Sequence, residues 1–124
     1  MGYTININSV VDAFLNLAGK EALSEGRVFC NTSTETIASW LDNKKDLSAN
    51  DLSICYAAAC MAFYRYTLKN EKAAQSVRAG DITVTDMSDK IVEYSKGLME
   101  DALKAIEHLL KPKRFAFIRT EGEE

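Results

Sequence analysis

Apolar positions recur at helical spacing in four stretches of the chain. Val10, Phe14 and Leu17 share one face of the first, with Val11, Leu15, Ala18 and Ala22 beside it. Asn8 or Ser9 can cap this helix, which fades by Glu25 with Gly26 as its stop. Gly19 weakens its middle by about 1 kcal/mol relative to Ala. Thr32-Ser33-Thr34-Glu35 has the capping-box order, a hydroxyl followed three residues later by a carboxylate. It predicts a short second helix carrying Ile37, Trp40 and Leu41, and leaves Cys30 in a loop before it. Asn43 to Asp46 reads as a polar turn.

Ser48 or Asn50 caps the third and most apolar helix. Leu52, Cys55, Tyr56, Ala59, Phe63 and Tyr66 repeat at three and four, and Ala57, Ala58 and Ala62 fill the other sides. A helix apolar nearly all round is central and covered on several sides, here to about Lys69. The pattern then breaks from Glu71 to Thr85. Val77, Ile82 and Val84 alternate around Ala79-Gly80-Asp81, which predicts a long loop or small hairpin at about 71–85. Thr85 or Asp86 caps the fourth helix. Its main stripe is Ile91, Tyr94, Leu98, Ala102, Ala105 and Leu109, with Val92, Ser95, Met99 and Ile106 alongside, and Pro112 ends it. The expected fold is mainly α: a bundle of about four helices, the loop, and an extended C-terminal tail. Residues 1–112 are expected to form a single helical domain and 113–124 the tail.

Composition narrows the class. The chain has 124 residues, 47% hydrophobic and 27% charged, with a net charge of -3. These are values of an ordinary soluble globular protein. A polybasic nucleic-acid binder is excluded by the acidic balance. Three cysteines at unrelated spacing, Cys30, Cys55 and Cys60, make no disulfide framework and fit a reducing cytoplasm. Cys55 and Cys60, five apart on a helix, point about 140° away from each other. Met1 to Asn8 lacks the basic-then-apolar order of a secretory signal. The longest apolar run, Ile54 to Tyr64, falls well short of the roughly twenty residues a membrane span needs.

Candidate chemistry is sparse. The single histidine, His108, has no HExxH or CxxC partner set, so no metal or other cofactor is expected. Cys30, in its predicted loop, is the one candidate reactive thiol, although a thiolate needs an adjacent base. Glu100-Asp101 and Asp86 with Asp89 fall at helix starts or on polar faces, not in an enclosed site that would raise one pKa. Ala79-Gly80-Asp81 lacks the frame of a phosphate loop. The expectation is therefore a protein that is not an enzyme.

Two segments stand out. The predicted loop is long for a helix connection, which commonly takes two to eight residues, and it carries alternating apolar positions. The tail carries Lys111, Lys113, Arg114 and Arg119 with no acid between them, interleaved with Phe115, Phe117 and Ile118. An extended basic and aromatic strip suits strand addition to a sheet edge of another chain. A phosphate backbone is a weaker fit for four charges in an acidic protein.

The order of elements resembles the small α-helical head–tail connector (adaptor) proteins of tailed bacteriophages and prophages. The likeness rests on Leu52 to Leu68, on Val77-Arg78-Ala79-Gly80-Asp81-Ile82-Thr83-Val84-Thr85, and on Ile91 to Leu110. It implies a virion assembly protein without catalytic residues, cytoplasmic during assembly and then part of the virion neck. It implies self-association into a ring on the portal protein and contact with neighbouring neck and tail proteins. Membrane binding and sequence-specific nucleic-acid binding are not expected. By the resemblance, the partner-binding residues are Val77, Arg78, Gly80, Asp81, Ile82 and Val84 in the loop. In the tail they are Lys113, Arg114, Phe115, Phe117, Ile118 and Arg119. The alternative is a small intracellular helical adaptor or regulator of one protein partner, with Trp40 and Tyr64 as anchors.

Overall fold

A computed structural model of the chain describes residues 3–77 and 82–111, with side chains for 3–70 and 90–111. Its described residues form four α-helices: α1 (Ile7–Ala18), α2 (Leu23–Trp40), α3 (Asp51–Val77) and α4 (Ile82–Ala105). Single 3-10 turns at Lys20–Ala22, Ser48–Asn50 and Glu107–Leu109 join or follow them. The mainly α bundle expected from the apolar pattern is what forms.

Asn6 caps α1, its side-chain oxygen accepting from the Asn8 N–H at 2.9 Å. The helix ends at Gly19, not at Gly26. Gly19 has φ +98, a backbone angle that favours glycine, and its N–H donates to the Leu15 carbonyl at 2.8 Å. Gly26 instead lies inside α2, where a Cβ would stand 2.1 Å from the Phe14 ring. The glycine lets α1 press its largest buried side chain onto the α2 backbone.

The capping-box residues do not start a helix. They lie mid-way along α2, which runs unbroken for 18 residues. The Thr32 hydroxyl that suggested a cap turns back on the helix, donating to the Phe29 carbonyl at 3.3 Å, and the Ser33 hydroxyl accepts from Arg65 of α3. Thr36 and Ser39, further along, bond the Thr32 and Thr36 carbonyls in the same way. Such bonds satisfy a hydroxyl inside a helix as well as at its start. Cys30 is consequently a buried helix residue and not a loop residue.

α3 is the central helix, packed against α1, α2 and α4. Ile54, Ala57, Ala58, Ala59, Cys60 and Ala62 have no exposed surface, so small side chains let three helices approach one axis. Leu52 and Tyr56, expected on the buried stripe, are exposed because they share the one face of the early α3 that no described helix covers, while Ile54, Cys55 and Ala57 at the same level are buried. The face of α4 is also rotated from expectation. Ser95, Ala102 and Ile106 are buried, while Ile91 and Tyr94 are exposed. The rotation is fixed by a polar pin: the Thr67 and Ser95 hydroxyls meet at 2.8 Å between α3 and α4. Fully buried hydroxyls need such partners.

Helical backbone also reaches further into the 71–85 stretch than predicted. α3 continues to Val77 and α4 already begins at Ile82, so Val77, Ile82 and Val84 sit on helical and not extended backbone. β-branched residues disfavour helix only weakly, so helical backbone is open to them. Residues 78–81, which carry the predicted Gly-Asp turn, lie outside the described residues.

Gly97, within α4, differs from Gly26: a Cβ there meets nothing within 4 Å. Gly97→Ala is expected to stabilise the chain by about 0.5–1 kcal/mol through helix propensity alone. Urea denaturation of the variant checks this. A loss of stability would mean that α4 needs its glycine.

Candidate functional site

Of the predicted loop residues, Val77, Ile82 and Val84 have helical backbone, while Arg78, Gly80 and Asp81 lie outside the described residues. The predicted tail residues Lys113, Arg114, Phe115, Phe117, Ile118 and Arg119 also lie outside them. What is described is how the C-terminal segment leaves the bundle. After the turn at Glu107–Leu109, Leu110 adopts an extended backbone and bridges Leu41 in antiparallel fashion. The Asp42 N–H donates to the Leu109 carbonyl and the Lys111 N–H to the Trp40 carbonyl, both at 2.8 Å. Leu41, Leu109 and Leu110 are buried beneath this pair of bonds. The chain exit at Lys111 is therefore fixed by main-chain bonds and apolar packing together.

Neither feature was visible in the pattern of apolar residues. Two extended residues leave no alternation to read, and the pairing joins positions 69 residues apart. The sequence predicts a fourth helix running to Pro112, but α4 ends at Ala105, so Leu109 falls in the turn that leads to the exit.

The anchors named for an adaptor, Trp40 and Tyr64, are both half-buried. Surface apolar groups missed by the sequence reading are Leu52 and Tyr56, one turn apart on α3, and Tyr94 on α4. The Tyr56 phenol is pushed up by a hydrogen bond to the Cys60 sulfur, then by burial and by the nearby Cys60 and Tyr94.

The thiols offer no nucleophile in this state. Burial pushes the Cys30 thiol up to about 11, against the lowering charge of Arg27. Burial raises Cys55 and Cys60 as well. Cys30 is thus inert packing, where the sequence made it a candidate reactive thiol. Tyr3 bonds the Asp51 carboxylate and ties the N-terminal segment to the first turn of α3. Burial and that bond hold its phenol well above the usual range. A protonated phenol that donates to a carboxylate acts as a clasp.

A cavity of about 320 Å3 opens between α1, α3 and α4. Leu17, Phe63, Tyr66 and Ile91 line it, with Thr67 and Asn70 as polar groups. The Thr67 hydroxyl is already engaged by Ser95 and by the Tyr64 carbonyl. Among the described residues, no three His, Cys, Asp or Glu side chains converge as a metal ion needs. No helix among them is long and apolar enough to cross a membrane. Comparison of the chain with protein-family models, curated proteins and solved structures finds no match.

Proposed function

We propose that the chain is a non-enzymatic assembly protein of the phage or prophage head–tail connector kind, which oligomerises on a portal ring. The observation that carries this reading is the anchored exit of the C-terminal segment. A bundle that fixes Lys111 by main-chain bonds delivers the basic and aromatic strip, two residues on in sequence, from a defined point. The strip then adds to a neighbour through main-chain bonds and aromatic burial, which offset the entropy of ordering it. Ring symmetry uses unlike patches, the tail or the α3–α4 connection of one subunit against the bundle of the next.

Removal of 113–124 is expected to leave the monomer folded, its stability within about 0.5 kcal/mol of the full chain, and to abolish assembly. The bonds at 109–111 remain in that variant. Circular dichroism and analytical ultracentrifugation read the two properties. A truncated chain that unfolds makes the tail part of the core. Mass spectrometry of particles released on prophage induction tests the wider reading. Intact tailed particles without this chain would end it.

A second reading, a helical adaptor for one protein partner, is favoured by the exposed Leu52, Tyr56 and Tyr94. It predicts a single defined complex that survives loss of the tail.

A further inference from the structure

Residues 3–6 lead into α1 without helix or strand and lie against the first turns of α3. Tyr3 is half-buried, Thr4 exposed and Ile5 buried, the alternation of an extended segment with one side inward. The Tyr3 hydroxyl donates to the Asp51 carboxylate, and the Cys55 thiol donates to the same oxygen at 3.8 Å. The Tyr3 hydroxyl and the Asn6 backbone also bond the Cys55 sulfur. The segment therefore closes over a thiol and a carboxylate one helical turn apart, and Cys55 is buried beneath it. What holds the segment is thin. Among the described residues, no backbone–backbone hydrogen bond involves residues 3–5. Such bonds begin at Asn6, whose carbonyl accepts from Ser9 and Val10 at 3.0 and 3.2 Å while its side chain caps α1. Asn6 is a fixed pivot, and the residues before it are held by two side chains, Tyr3 and Ile5.

We propose that residues 3–5 form a releasable strap, which swings about Asn6 while the bundle stays folded and so controls access to the Cys55 thiol beside Asp51. A segment with few buried contacts and no backbone bonds opens at a small fraction of the cost of global unfolding. The other two thiols supply the contrast. Cys30 and Cys60 have no exposed surface, and Cys60 is bonded by Tyr56 and not by the N-terminal segment. Moving the strap uncovers neither. The strap also sets how much of the α3 start meets solvent. Leu52, which follows Asp51, is exposed already, and lifting Ile5 and Tyr3 adds the surface around Cys55. The device depends on neither the assembly nor the adaptor reading.

The test uses the full chain at neutral pH, with N-ethylmaleimide as the probe and peptide mass spectrometry to locate the labelled thiol. Cys55 is expected to label in the native protein, more slowly than in the urea-unfolded chain, at a rate nearly independent of low urea because little surface opens. Cys30 and Cys60 are expected to label only as the whole bundle unfolds, with a steep dependence on urea. Tyr3→Phe keeps the ring and removes a hydrogen bond to a carboxylate, so it is expected to speed Cys55 labelling roughly tenfold or more. Ile5→Ala, which empties a buried seat, is expected to act in the same direction by at least as much. Thr4→Ala, on the exposed side, is the control and is expected to leave the rate unchanged. Circular dichroism checks that each variant is folded; if Ile5→Ala is not, Tyr3→Phe carries the test. Cys55 labelling only together with Cys30 and Cys60 overturns the proposal, because the segment then belongs to the cooperative core. Labelling in the native chain as fast as in the unfolded chain overturns it too, since nothing then covers the thiol. A rate unchanged by Tyr3→Phe would mean that the phenol does not hold the strap, and would end the proposal as well.

Discussion

Phe14→Ala is expected to cost about 3–5 kcal/mol, a large part of the roughly 5–15 kcal/mol that holds a domain of this size together. The ring has no exposed surface. It lies on the Gly26 backbone and meets the Tyr66 ring edge-on, with centroids 5.4 Å apart. Removing it takes away the contact between α1 and α2 and the aromatic pair with α3 in one step. The neighbours cannot collapse into the gap easily, since the opposite wall is helix backbone. The reverse change is informative too. Gly26→Ala gains about 1 kcal/mol of helix propensity, yet its methyl needs space the Phe14 ring occupies. Overpacking of this kind costs about 1–3 kcal/mol, so a net loss is expected. In Gly26→Ala with Phe14→Leu the two effects should partly cancel. Urea denaturation of the four proteins gives the coupling directly. Additive losses would mean that the ring and the glycine do not share this contact.

That pair also shows why part of the fold was readable and part was not. Val10, Val11 and Phe14 recur at helical spacing, and all three are buried in α1. The alanine-rich run of α3 announced a helix covered on several sides, and it is central. Glycine was ambiguous. Gly19 and Gly26 look alike in sequence, but one ends a helix by its backbone angle and the other admits a ring from a neighbouring helix. Only tertiary contact separates these uses. Hydroxyls misled for a similar reason. Thr32 to Glu35 has the order of a cap, but inside a helix the Thr32 hydroxyl is satisfied by the Phe29 carbonyl and the Ser33 hydroxyl by Arg65 of a neighbouring helix. Ser95 was placed beside the apolar stripe of α4, and its role as a buried pin depends on Thr67, 28 residues earlier. The candidate site was legible only as composition, a basic and aromatic strip after Pro112. Its anchorage through Trp40, Asp42, Leu109 and Lys111 is main-chain chemistry, which side-chain identity does not encode.

The misplacement of Cys30 leads to the second large effect, a loss of stability in alkali. In the unfolded chain this thiol ionises at its ordinary value of 9.0, and in the fold burial raises it to about 11. A folded pKa above the unfolded one means that the native state holds its proton longer. The stabilisation is fully present below pH 9, falls as pH rises, and is gone above 11. With each unit equal to about 1.4 kcal/mol, Cys30 alone should remove about 2–3 kcal/mol across that window. Cys55 and Cys60 shift in the same direction and add to the fall. Tyr3 does likewise at higher pH. The useful quantity is therefore the difference between the chain and Cys30→Ala. At neutral pH that variant should be less stable, because a fully buried sulfur is lost and leaves a small cavity. Between pH 9 and 11 its stability should decline less steeply, so the two curves converge. Urea unfolding at a series of pH values measures both, and thiol reagents at pH 8 should label Cys30 only once urea has opened the bundle. Parallel curves, or rapid native labelling, would mean that Cys30 reaches solvent and that α2 does not seal it against α3.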